Sequence, residues 1–393
     1  MGEGRGGGPA EPRRFALLAL GFRPFYLLAS AFAALSVPLW ALQFGGYLDL
    51  AVLGGSAWHG HEMLFGYTMA VIAGFLLTAV RTWSGQPTPT GAALAALALL
   101  WVAGRVLVLT PWALAAAVAN ALFPLAVAVA IGIALARGGN RRNYFFVVLL
   151  ALASAVVLAL HLSMMGVLAW PARASLQVGL DGVLFIVAVI AGRVVPMFTN
   201  NGVPGAGATR RQWLETAALA SVLAMLAADL LGAGAAAVVP LALFAMLAHG
   251  ARLALWRPWK TLGTPLVWVL HAAYAWIPVH FALRALAALG AVADTLAVHA
   301  LTLGVIGGMT IGMMTRTARG HTARALRADA IEVLCYLLVL AAALVRVFGP
   351  MALPSAYLGT VTASALLWSA AFAIYFVRYW PFLTRPRLDG KPG

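Results

Sequence analysis

Twelve long apolar runs, separated by short connections, fill this sequence from Phe25 to Val377. A helix that crosses a bilayer needs about 20 such residues, each adding about 1.5 Å of rise. Hydrophobic residues make up 63% of the 393 positions and charged residues only 9%. A soluble domain carries roughly 25% charged residues, so this chain has too little polar surface to clothe a water-facing exterior. Lipid tails solvate such a surface instead, and every backbone polar group is then satisfied inside a helix. The fold class is therefore all-α, a polytopic membrane helix bundle with the lipid bilayer as its main partner. The twelve expected spans are Phe25–Phe44, Ala57–Val80, Ala92–Leu109, Ala113–Ala136, Tyr144–Leu168, Ser175–Phe198, Leu214–Leu231, Ala235–Leu255, Pro265–Leu289, Thr295–Thr317, Ala330–Val347 and Ser355–Val377.

The formal charge of +15 is carried by residues that fall between the runs, which argues against a nucleic-acid partner. Arginine and lysine sort by loop parity. The N-terminus holds Arg5, Arg13 and Arg14. The even connections hold Arg81, then Arg137, Arg141 and Arg142, then Arg210 and Arg211, then Arg257 and Lys260, then Arg319, Arg324 and Arg327. The C-terminus holds Arg378, Arg385, Arg387 and Lys391, while the odd connections have little beyond Arg173. The positive-inside rule then places both termini in the cytoplasm, which requires an even number of spans. Residues 1–14 are Gly-rich and polar and read as a disordered cytoplasmic N-terminus. Residues 15–383 read as the transmembrane domain, and 384–393 as a cytoplasmic tail. The first run has no small-residue cleavage site, so it reads as a retained helix. The single cysteine, Cys335, lies in an apolar run and reads as a buried hydrophobe. No Cys-x-x-Cys-His occurs for covalent heme attachment.

A short motif recurs at regular intervals. Ala70-Val-Ile-Ala-Gly74 in span 2 reappears as Ala188-Val-Ile-Ala-Gly192 in span 6, with a looser copy at Val305-Ile-Gly-Gly308 in span 10. The copies are 118 and 116 positions apart, counted from Val71 to Val189 to Val305, which is four spans each time. Chance in an Ala/Val/Gly-rich chain is the alternative to three pseudo-repeats of four helices. Gly304, Gly308 and Gly312 stack on one face of span 10, where a neighbouring helix can approach closely.

The eight histidines are the residues most open to a functional reading, because ionisable groups inside a bilayer are costly. His61, His161, His280 and His299 fall in one layer of the outer half at about 1.5 Å per residue. His271 lies nine residues before His280, about 13 Å deeper. His249 is near the inner end of span 8 and His321 is in a cytoplasmic loop. For any one histidine, a hydrogen-bonded structural role competes with ligation. Neutral imidazole suits heme iron and copper. His59 and His61 are two apart, so a regular helix points them in nearly opposite directions. Glu62 and Arg193 are charges within spans. Arg193 is a candidate partner for a heme propionate, with snorkelling or structural pairing as the alternative. Arg23, at the inner start of span 1, reads as a surface anchor. Met309, Met313 and Met314 resemble a soft metal site, but core filling explains them as well.

Leu20-Gly-Phe-Arg-Pro-Phe25 opens the chain, followed by Trp58-His-Gly-His-Glu-Met63, Phe65-Gly66 and Ala73-Gly-Phe-Leu-Leu-Thr78. Gly192-Arg-Val-Val-Pro196, Phe198-Thr199, His299-Ala-Leu-Thr302 and Thr315-Arg316 with Gly320-His-Thr322 complete the set. In these segments the sequence resembles the NnrS family of bacterial membrane proteins. The resemblance implies an inner-membrane protein that carries heme and copper and acts in nitric oxide and nitrosative stress tolerance. It implies that the metal-site histidines are His59, His61, His271, His299 and His321. With it, a non-covalent b-type heme is expected in the outer half between spans 2 and 10, with His61 and His299 as axial ligands and His59 as the substitute on span 2. The twelve-span layout also resembles heme-copper oxidases, which likewise bear histidines on spans 2 and 10, but no set of histidines on spans 6 and 7 suits an oxidase-type copper. Two other functions fit a twelve-span chain: a secondary transporter, and an assembly partner of a respiratory complex. Whether nitric oxide is turned over or only tolerated is left open, so enzyme activity is not assigned at this point.

Overall fold

The computed structural model describes residues 15–48, 55–391 and 393. The N-terminal segment expected to be disordered, and part of the connection between the first two spans, lie outside the described residues. Twelve helical rods follow one another: α1 Phe22–Phe44, α2 Gly55–Ser84, α3 Gly91–Leu107, α4 Ala113–Arg137, α5 Arg141–Met164, α6 Ala172–Gly202, α7 Gln212–Leu230, α8 Ala235–Lys260, α9 Pro265–Ala288, α10 Asp294–His321, α11 Ala330–Ala352 and α12 Pro354–Thr384. Eleven are long and apolar enough to cross a membrane. The exception, α3, has 17 residues and reaches only about 25 Å at a rise of about 1.5 Å per residue. No strand is present among the described residues.

Leucine, alanine and valine runs form these helices because a lipid-facing backbone has no other way to satisfy its N–H and C=O groups. Local signals set some ends. Asp329 caps α11 by accepting from the backbone N–H groups of Ile331 and Glu332, while Glu332 accepts from the N–H of Asp329 at 2.9 Å. This reciprocal box satisfies donors that a helix start otherwise leaves open. Arg23 corrects an expectation. It is fully buried, and its guanidinium donates to the carbonyls of Leu383 at 2.9 Å and Arg385 at 2.8 Å. The side chain caps the end of α12 because the carbonyls of a final helical turn have no intrahelical donor. It is a clamp between the first and last rods and not a surface anchor.

The last rod of each set of four meets the first rod of the next through an extensive seam: α4 against α5, α8 against α9, and α12 against α1. Rods α2, α6 and α10 meet one another at the centre. Ile72, Ile190 and Ile306, which occupy the recurring motif, are all buried in the core. The large seams thus recur every four rods.

The connections also sort by end. The backbone N–H of Ala16 donates to Thr384, that of Gly91 to Leu18, that of Thr209 to Leu255 and that of Leu388 to Thr322. The basic even connections and both described chain ends therefore share one face of the bundle. On the opposite face Arg173 pairs with Asp294, and Phe44 meets Tyr357 at 6.3 Å.

Candidate functional site

Two of the twelve rods are not regular. In α2 the turn Glu62–Thr68 is a π-helix, and in α10 the turn Ala300–Gly307 is another. The first follows directly on His61 and the second on His299. A π-turn widens the helix and shifts the phase of the side chains before it relative to those after it. The Thr68 hydroxyl donates to the carbonyl of Met63 at 2.8 Å, five residues back, which holds a carbonyl of the wide turn. Trp101 of α3 donates its indole N–H to the carbonyl of Gly66 at 3.0 Å. In α10 the wide turn is packed from both sides. Gly304 lies under the Trp276 ring and Gly307 under the Trp368 ring, so closely that no Cβ fits at either position.

These turns flank a cavity of about 350 Å³ in the half of the bundle away from the basic face. His59 from α2 and His299 from α10 both line it, with Arg346 of α11 and Tyr357 of α12. Tyr67 and Trp368 also line it and meet edge to face at 5.5 Å. Below the lining, the Tyr67 hydroxyl meets the Thr310 hydroxyl at 2.6 Å and ties α2 to α10.

The imidazoles are held in defined states. His299 Nδ1 lies 2.6 Å from the carbonyl of Thr295. A carbonyl only accepts, so the proton sits on Nδ1 and Nε2 keeps its lone pair. The His59 ring stacks on Trp40, with centroids 4.1 Å apart and planes 18° from parallel. Its Nδ1 is buried with no hydrogen-bond partner. Arg346 is 5% exposed; its Nη1 is buried without a partner, and Nη2 reaches the Tyr357 hydroxyl only at 3.5 Å. Among the described residues no carboxylate pairs with it.

His61 faces elsewhere. Its Nδ1 is 2.7 Å from Glu62 Oε1, and its Nε2 is 3.1 Å from Nε2 of His161 on α5. Glu62 Oε2 in turn pairs with Arg105 of α3 at 3.2 Å, and Arg105 also donates to Asn120 of α4. The expected pair of His61 with His299 is thus not brought together; His59 and His299 are. The other expected site residues are dispersed. His271 meets the Thr199 hydroxyl at 2.8 Å in the half toward the basic face. The His321 ring lies 5.7 Å from that of Phe22 at the basic end. Arg193 donates to Asn143 at 2.8 Å and sits over Phe145, away from the cavity. His280 Nδ1 meets the carbonyl of Ala297 at 2.8 Å, and His249 is held between Tyr274 and the carbonyl of Ala218. Met309, Met313 and Met314 are packed in the core. Among the described residues no group of three or more His, Cys, Asp or Glu side chains converges as a metal site.

A model of the family described as NnrS protein matches residues 16–387, nearly the whole chain. The chain belongs to the NnrS family. No curated protein matches it. The segments that carry the NnrS resemblance form two groups in space. Trp58–Met63 and His299–Thr302 contribute to the cavity lining. Leu20–Phe25 packs at the basic end, where the N–H of Phe22 donates to the Thr78 hydroxyl at 3.0 Å and Gly74 abuts Phe25 and Tyr26. Several buried charges escaped the sequence reading. Arg346 is one. Arg252, paired with Glu215 at 2.6 Å and bonded to the Tyr274 hydroxyl at 2.9 Å, is another. The signal was weak: Arg346 and Arg252 fall close to the ends of the runs Ala330–Val347 and Ala235–Leu255, where an arginine reads as reaching the surface.

Proposed function

We propose that the protein carries a non-covalent b-type heme in the outer cavity, holds copper beside it, and acts in nitric oxide tolerance in the bacterial inner membrane. The observation that carries the heme reading is the convergence of His59 and His299 on one apolar cavity that also contains an uncompensated guanidinium. The residues present fit the group. Two imidazoles from different helices would hold the iron, and the Nδ1 hydrogen bond of His299 leaves its Nε2 free to ligate. Arg346 would supply a positive partner for a propionate, the role for which Arg193 was one candidate. Heme bound there would supply an iron that takes up and releases single electrons. The Trp40 stack sets the plane of His59, and Tyr67 with Trp368 excludes water from the inner side.

For copper, the fitting residues are His61 and His161. Glu62 accepts the Nδ1 proton of His61, which directs the Nε2 lone pair at His161. A carboxylate behind a ligating histidine is a recurrent arrangement at metal sites. The nitric oxide part of the reading, and the placement of the basic face in the cytoplasm, rest on family membership and on the distribution of arginine and lysine.

Heme and copper content of purified protein test both halves. His59→Ala and His299→Ala are expected to lose heme and the Soret band. His61→Ala should keep the heme and, like His161→Ala, lose copper. Heme lost from His61→Ala but retained in His59→Ala would return the ligand role to His61.

A further inference from the structure

One face of α12 is aromatic from the cavity to the basic face. Trp368, Phe372, Tyr375, Tyr379 and Phe382 follow at steps of three or four residues, the spacing that stacks side chains on one side of a helix. Trp368 lines the cavity, and the end of α12 just beyond Phe382 lies at the basic face. The first four of these residues are 4% exposed or less. Trp368 meets Phe372 at 4.5 Å between ring centroids, Tyr375 stacks on Tyr379 at 4.3 Å, and Tyr379 meets Phe382 at 5.1 Å. Phe372 and Tyr375 are three apart, which puts their Cβ atoms about 5–6 Å from each other. From Trp368 to Tyr379 the ladder rises about 16 Å. Tyr67 of α2, also on the cavity, packs against both Trp368 and Phe372.

The oxidisable rings of this ladder differ in whether a proton can leave with the electron. A phenol that has lost an electron is a strong acid, and it becomes a long-lived neutral radical only where a base takes the proton. The Tyr67 hydroxyl meets that of Thr310, but Thr310 donates to the carbonyls of Ile306 and Gly307 at 2.7 and 2.9 Å, so no base follows. The Tyr375 hydroxyl and the Trp368 indole N–H are buried without a hydrogen-bond partner. Tyr379 alone in the ladder has a base: its hydroxyl donates to Glu332 Oε1 of α11. Glu332 is held in place by Arg319 at 2.7 Å and by the backbone N–H of Asp329 at 2.9 Å. Asp329 pairs with Arg378 and Arg319. These two carboxylates and two guanidiniums balance, so a proton added to Glu332 leaves the four with a single positive charge.

We propose that Tyr379 is a redox-active tyrosine, the sink for oxidising equivalents that arise in the cavity, with Trp368 as their entry point. A one-electron oxidant formed in the cavity by the action of a peroxide takes an electron from Trp368. Trp368 regains it from Tyr379 across Phe372 and Tyr375, and the phenolic proton of Tyr379 moves to Glu332 Oε1. The oxidant is thereby reduced by one electron, and a neutral tyrosyl radical stands near the basic face, hydrogen-bonded by the protonated Glu332. A thiol reductant at that face then gives one electron and releases its own proton to water, becoming a thiyl radical. Glu332 returns its proton and the phenol is restored. The sink is a property of the ladder itself; its use against a peroxide rests on the reading of the cavity as a heme site.

Electron paramagnetic resonance of the purified full-length protein tests this in two arms. In the first, hydrogen peroxide is added to heme-loaded protein and the sample is frozen rapidly. A tyrosyl radical is expected at high field, with a hydrogen bond whose proton exchanges in deuterium oxide. Tyr379→Phe keeps the ring stack but should abolish that signal and make the heme bleach several-fold faster under peroxide. Tyr375→Phe removes a hydroxyl that has no base and should keep the signal. In the second arm, an ultraviolet pulse that ionises tryptophan is applied to heme-free protein. The same hydrogen-bonded radical is expected, lost in Tyr379→Phe and weakened in Trp368→Phe. A hydrogen-bonded tyrosyl signal that survives Tyr379→Phe, or no such signal in either arm, would overturn the sink. An undiminished signal in Trp368→Phe would overturn the entry point, and equal bleaching with and without the Tyr379 hydroxyl would overturn the protective use. Protein that binds no heme but gives the ultraviolet signal would overturn the heme reading and leave the sink standing.

Discussion

A guanidinium inside a lipid-embedded bundle costs several kcal/mol unless a counter-charge is in place. Arg105 and Arg252 have theirs in Glu62 and Glu215. Arg346 has none among the described residues, and this asymmetry singles out the cavity as a place built for an anionic group. Arg346→Met should therefore stabilise the heme-free protein, by about 1–4 kcal/mol if it follows other swaps of buried ionic groups for apolar ones. The same variant should retain less heme. Thermal unfolding of the heme-free form and heme titration of the two proteins check the pair of outcomes, and a destabilised heme-free variant would count against the vacant counter-charge. Glu62→Gln should act in the opposite sense. It leaves Arg105 buried without a carboxylate and weakens the hold on His61, so a loss of about 3–5 kcal/mol is expected, read as a fall in melting temperature. At this scale the sequence was only partly legible. His59, His61 and His299 were recognisable as candidates. Which of His59 and His61 shares a cavity with His299 was not, because two residues two apart face opposite ways and only the surrounding helices decide which way is inward.

The irregular turns of α2 and α10 decide how the histidines meet the cavity. A regular helix advances by about 100° per residue, so one extra residue in a wide turn rotates everything before it by that amount relative to everything after. Deleting Thr302 should restore α-helical pitch in α10 and turn His299 out of the cavity while the inner half of the rod keeps its packing. The expected result is a folded protein with no Soret band. Retention of the band would separate the wide turn from ligand placement. Gly304→Ala tests the packing that maintains the turn. Its new Cβ meets the Trp276 ring, and overpacking of this kind costs about 1–3 kcal/mol, measurable as a lower melting temperature. The length of the apolar runs made the helices legible at this scale and hid the π-turns. An apolar run reads the same whether its backbone bonds span four residues or five, and the tryptophans that pack on Gly304 and Gly307 come from α9 and α12.

The whole molecule is a closed ring of rods with α2, α6 and α10 at the centre. Reporter fusions after Arg142 and after Gly290 should give opposite readouts, the first cytoplasmic, because these connections lie on opposite faces of the bundle. Equal readouts would contradict the twelve-rod layout. Read alone, the sequence determines the helical class, the number of rods, the sorting of basic loops to one face and the family. Each of these follows from local quantities: the length of an apolar run, the charge between runs, and short motifs. Only the tertiary structure decides that His59 and not His61 shares a cavity with His299, that His61 finds His161 a hundred positions away, that Arg346 and not Arg193 stands at the cavity, and that Arg23 closes the ring against α12. Those relations depend on which rods become neighbours and how each is rotated about its axis. Packing among twelve similar apolar helices sets both, and no single run of residues carries that information.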